Sequence, residues 1–80
     1  MSDDQIAEVL LDLAHRRGSG KTFCPSEAAR ALDPKDWRRL MPEVRRIAAR
    51  LQAEGALTAT RRGQTVGAEA PGGPIRLGLP

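Results

Sequence analysis

Apolar residues recur along this chain at two spacings. Near the N-terminus Ile6, Val9, Leu10 and Leu13 fall at i, i+3, i+4 and i+7, the interval that places side chains on one side of an α-helix. Ser2 or Asp3 can cap that helix and Asp4 suits its positive end. Arg16 and Arg17 suit its negative end, and Gly18 stops it. Leu11 lies off the stripe, either exposed or placed to touch a second chain. A second helix opens at Pro25, a residue whose missing N–H costs nothing in the first turn. Ala28, Ala29 and Leu32 give it a small-residue inner face. Asp33-Pro34 then breaks it, and residues 34–40 predict a short helical turn anchored by Trp37 and Leu40. Pro42 restarts the chain as a third helix, where Val44, Ile47, Ala48 and Leu51 repeat the first stripe before Gly55 ends it.

Elsewhere the spacing is that of extended chain. Residues 21–24 read as a short strand. Residues 56–60 alternate around Leu57, with threonines that favour strands. Arg62-Gly63 offers a turn, Thr65-Val66 begins a return strand, and Ile75, Leu77 and Leu79 share one face of a last strand. The order is helix, strand, helix, helix, strand, loop, strand. It predicts a single α+β, mainly α, domain over residues 1–80, a winged helix-turn-helix with three main helices and a small antiparallel sheet. The wing or hairpin occupies about residues 56–80, and the Gly-, Ala- and Pro-rich run 67–73 reads as a mobile loop.

Charge adds a direction to this layout. The net charge is only +3 and the pI about 10, but acids outnumber bases seven to five up to Trp37, and bases outnumber acids eight to three from Arg38 onward. That asymmetry predicts one basic face for an anionic partner. A chain of 80 residues buries only roughly 60–65% of the surface its unfolded form exposes, so the core is thin. Cys24 is the only cysteine, which excludes an intramolecular disulfide and a multi-thiolate metal site and fits a reducing cytoplasm. The acidic start lacks the basic segment of a secretion signal, and no apolar run approaches the ~20 residues that span a bilayer.

The candidate chemistry is basic. With Val44, Ile47, Ala48 and Leu51 inward, Arg45, Arg46, Ala49, Arg50 and Ala53 turn outward. Small residues between arginines let a helix approach a sugar-phosphate backbone or a groove closely, and the arginines can pair with phosphates or guanine edges. The competing reading is a solvated face in which Glu43 pairs with Arg46 and Glu54 with Arg50. Arg61 and Arg62 stand at the hairpin, where charge serves either a phosphate backbone or edge-strand protection. Arg38 and Arg39 precede the third helix. One of them is placed to reach phosphate, and Asp36 is placed to pair with Arg39.

Other motifs are weaker. Ser19-Gly20-Lys21-Thr22 fails as a phosphate-binding loop, because His15 stands where its first glycine belongs and an extended segment follows instead of a helix. Cys24 sits near a helix start, where a dipole lowers thiol pKa values, but reads first as a small buried hydrophobe. Trp37 reads as core volume rather than a stacking platform. The lone His15, beside two arginines, reads as a surface residue. No Ser-His-Asp set is credible, so the chain reads as a non-enzyme without cofactor or metal.

Three separated stretches resemble one family. Residues 20–30 (GKTFCPSEAAR), residues 36–42 (DWRRLMP, with Val44-Arg45 following) and residues 73–77 (GPIRL) are similar to the signatures of a bacterial domain-of-unknown-function family of small winged-helix-like proteins. The resemblance implies the fold and carries no site residues with it. The residues themselves predict double-stranded DNA as partner, with the third helix in the major groove and the hairpin on adjacent backbone. The binding set is Arg38, Arg39, Arg45, Arg46, Arg50, Arg61 and Arg62, on a monomer or homodimer. The rival expectation is a protein-interaction module on the same scaffold, without nucleic acid.

Overall fold

The computed structural model describes residues 1–80. Helix α1 spans Asp3–Arg17, strand β1 Thr22–Phe23, helix α2 Pro25–Leu32, and helix α3 Trp37–Ala53. Strands β2 (Thr58–Arg61), β3 (Gln64–Thr65) and β4 (Arg76–Gly78) follow. The strands form one antiparallel sheet in the order β1-β4-β2-β3. Three helices against a small sheet, with a hairpin after the third helix, make the winged-helix-like α+β arrangement that the spacing predicts.

Local chemistry sets the helix ends. Ser2 caps α1: its Oγ accepts from the Gln5 amide at 3.2 Å, and its own N–H donates to Gln5 Oε1 at 2.9 Å. Glu27 closes the start of α2 by accepting from the Cys24 amide at 3.0 Å. A four-residue turn separates α2 from α3, organised by Asp33 Oδ1, which accepts from the amides of Lys35 and Asp36. At the end of α3, Gly55 takes φ +80°, its N–H reaches Gln52 O, and the Ala56 N–H reaches Leu51 O. This pairing satisfies carbonyls the helix would otherwise leave open.

The expected restart at Pro42 is corrected: α3 runs unbroken from Trp37 with Pro42 inside it. Pro42 removes one N–H, and the carbonyl it orphans belongs to Arg38, on an exposed residue where water can replace the bond. In return, Leu40 joins Val44, Ile47, Ala48 and Leu51 on one buried face. The stripe on α1 is also corrected. Its buried line is Ile6, Ala7, Leu10 and Ala14, while Val9, Leu11 and Leu13 pack half-buried at the margin. The alanines let neighbouring elements come close, so the helix turns its narrow side inward. Leu11 accordingly packs against the core of its own chain.

Seventeen buried apolar residues form one cluster, and no polar or charged residue is buried. Leu77 on the central strand β4 sits between Phe23 of β1 and Ala59 of β2, all three fully covered. No helix is long and apolar enough to cross a membrane.

Candidate nucleic-acid interface and adjoining groove

Helix α3 carries five of the seven arginines singled out above, and the structure gives each a different neighbour. Arg46 donates to Asp3 at 2.8 Å and to Glu43 at 2.6 Å, linking α3 to the start of α1. These two carboxylates hold the Arg46 guanidinium well above its usual pKa, and the hydrogen bond from Arg46 lowers that of Asp3. Arg39 pairs with Asp36 at 2.7 Å and Asp33 at 3.5 Å, which raises its pKa, Asp36 being the larger cause. Arg50 has only a long contact to Glu54, at 3.8 Å. Arg38 has no carboxylate partner. Its guanidinium carbon lies 4.5 Å from the centre of the Trp37 ring, and that of Arg30, on α2, lies 4.4 Å from it. Such stacking fixes the guanidinium planes while leaving N–H edges free.

Arg45 and Arg61 are held inside the wing. From α3, Arg45 Nε donates to Ala68 O and its Nη2 to Ala70 O, both at 3.1 Å. From β2, Arg61 donates to the carbonyls of Ala70, Pro71 and Gly73, each at 2.9 Å, while its Nε is buried without a partner. Gln52 completes the clasp. Its Nε2 donates to Val66 O at 2.7 Å, and its Oε1 accepts from the Ala68 amide at 2.9 Å. The run 67–73, which composition marks as mobile, is thus tied to α3 and β2, with Ala68 fully covered. It lies over the side of α3 that carries Arg45 and Gln52. Arg39, Arg46 and Arg50 share an exposed side, and Arg38, also exposed, lies in line with Arg45 seven residues before it.

Arg62 occupies the tip of the β2–β3 hairpin, exposed and without a hydrogen-bond or ion-pair partner. Its φ is +52°, the one non-glycine residue of the chain in left-handed backbone, followed by Gly63 at +78°. A two-residue turn of this shape favours Asn or Gly at the first position, so an arginine there costs about 1–2 kcal/mol.

Between the start of α2, the first turns of α3 and the segment entering β4 lies an open groove of about 360 Å³. Cys24, Pro25, Ser26, Trp37, Met41, Arg45, Gly73, Pro74 and Ile75 line it. Two expectations are corrected here. Trp37 is half-buried at the groove and stacked by arginines, because the core face of α3 starts at Leu40. Cys24 is half-buried too, with Ser26 Oγ donating to its Sγ at 3.2 Å. His15 is exposed, its Nδ1 2.7 Å from Leu11 O. No cluster of three or more His, Cys, Asp or Glu is assembled.

The sequence reading passed over Gln52 and Arg30. Gln52 reaches partners 14 and 16 residues away, and no local pattern encodes that. Arg30 meets Trp37 only because the 33–36 turn folds α2 against α3. No curated protein matches the chain. The family model described as a protein of unknown function, DUF3253, matches residues 3–80, and the chain belongs to that family.

Proposed function

We propose that this domain binds double-stranded DNA, with the exposed side of α3 toward the major groove and the hairpin tip on the flanking backbone. The observation that carries the reading is Arg62, an unpartnered arginine kept on left-handed backbone at the tip of the wing. Residues held in such costly conformations concentrate at functional positions. Arg38, Arg50 and Arg62 are the direct contacts. Arg39 and Arg46 join them through N–H groups their carboxylates leave open, while Arg45 and Arg61 shape the wing. The setting this calls for is a bacterial cytoplasm, which the single free thiol of Cys24 fits.

Fluorescence anisotropy with a random labelled duplex, at low and at physiological salt, tests it. Binding should weaken steeply with salt, because neutralised phosphates release counterions. The triple variant Arg38→Ala/Arg50→Ala/Arg62→Ala should lower the salt slope by about 3. An absence of binding at low salt rejects the proposal. It would favour the protein-interaction module, a reading supported by the internal carboxylate partners of Arg39, Arg46 and Arg50.

A further inference from the structure

The groove beside Trp37 adjoins the proposed DNA contacts at Arg38, and its interior has no part in them. Its floor is apolar, made by Met41, Pro74, Ile75 and the Trp37 edge, and Arg45 forms one wall. Its volume of about 360 Å³ lies at the small end of the range for ligand sites. One guanidinium, that of Arg45, lines it, and two more, those of Arg30 and Arg38, stack on the Trp37 ring beside it; none of the three has a carboxylate within 4 Å. Arg45 bonds only to main-chain carbonyls, leaving its Nη1 open. Arg30 and Arg38 are held on the Trp37 ring. The nearest acid lining the adjoining depression is Glu69, which shares that depression with Met41, Pro42 and Arg45.

An apolar floor with an uncompensated cationic rim complements a molecule that is apolar along its body and anionic at one end. A bare phosphate would leave the floor wetted, and a neutral hydrocarbon would leave the arginines unused. We propose that this groove binds a small amphipathic carboxylate, its chain over Met41 and Ile75 and its carboxylate at the arginine rim. A carboxylate accepts from guanidinium edges in charge-assisted bonds, stronger than neutral ones. The stacked arginines meet it with little further ordering. The site shares Arg38 with the proposed DNA contacts, and its test uses no nucleic acid.

Trp37 is the only tryptophan, and the chain has no tyrosine, so intrinsic fluorescence reports directly on the groove. Octanoate, octanol and inorganic phosphate are titrated separately into the full chain while Trp37 emission is followed. The expected result is a saturable change with octanoate, weaker for octanol and absent for phosphate. Shortening the acid to hexanoate should weaken binding by about two- to fourfold per methylene removed. Arg30→Ala/Arg38→Ala changes only exposed side chains and should erase the preference for octanoate over octanol. Met41→Glu, with its fold checked by circular dichroism, should weaken octanoate at least tenfold. The proposal is overturned if octanoate gives no saturation, if octanol binds as well as octanoate, or if phosphate alone reproduces the change.

Discussion

Replacing Gln52 by methionine keeps the side chain's length and removes both ends of its clasp on the wing. The Ala68 N–H, on a fully covered residue, then loses the acceptor at 2.9 Å, and Val66 O loses the donor at 2.7 Å. Methionine fills the space of the amide, so water gains no room to replace the acceptor. An unsatisfied buried N–H costs about 1–3 kcal/mol. The half-buried Val66 carbonyl recovers part of its hydration and adds about 0.5–1 kcal/mol. Together they place the destabilisation at roughly 2–3 kcal/mol, a fall in Tm of about 10–20 °C for a domain of this size. Urea and thermal unfolding measure it, and amide exchange at Ala68 localises it. Gln52→Glu supplies the contrast. Its ionised carboxylate still accepts from Ala68 but repels Val66 O, whereas the protonated acid can donate to that carbonyl. Its folded pKa is thereby raised, so its deficit relative to wild type should shrink as pH falls through that raised value and be smallest below the ordinary glutamate value of about 4.3. A Gln52→Met protein within about 0.5 kcal/mol of wild type, or unchanged exchange at Ala68, would refute the reasoning.

Two other perturbations follow from the same geometry. Arg62→Asn places a residue suited to left-handed backbone at the hairpin tip, and should stabilise the fold by up to about 1 kcal/mol while weakening duplex binding; a more stable protein with unchanged affinity would separate the strained backbone from function. Glu27 has its pKa lowered, first by the Cys24 amide and then by Arg17, so its ionised form favours the folded state. That stabilisation is complete above the unfolded value near 4.3 and disappears as pH falls through the lower folded value. Glu27→Gln should therefore melt below wild type at pH 7 and converge with it in acid. Asp3, whose pKa Arg46 lowers, leaves some acid dependence in the variant. Parallel melting curves for the two proteins from neutral pH to pH 2 would contradict this account.

The surroundings of the candidate arginines were partly legible in advance. Arg39 with Asp36, Arg46 with Glu43 and Arg50 with Glu54 lie three or four residues apart on one helix, so their pairing follows from helical spacing alone. Arg45 and Arg61 were not legible, because a guanidinium pointing from an element looks equally free in sequence whether it meets solvent or a loop. The carbonyls they hold lie 23 and 25 residues from Arg45, and 9 to 12 from Arg61.

By itself the sequence determined what short-range physics can express. Ser2, Pro25, Gly18 and Gly55 act within a few residues, so the helix ends were readable. Alternation around Leu57 and Leu77 marked β2 and β4, and Arg62-Gly63 marked the turn from β2 into β3. Tertiary packing decided the rest. It carried α3 through Pro42, because burying Leu40 with Val44 outweighs one missing hydrogen bond on a solvated edge. It set the buried line of α1 through Ala7 and Ala14, whose small size matters only when another element lies against them. It moved Trp37 from the core to a groove, and turned Gln52 into the clasp of the wing. Each of these outcomes depends on which distant group arrives beside a residue, and that is a property of the folded chain rather than of any local run of it.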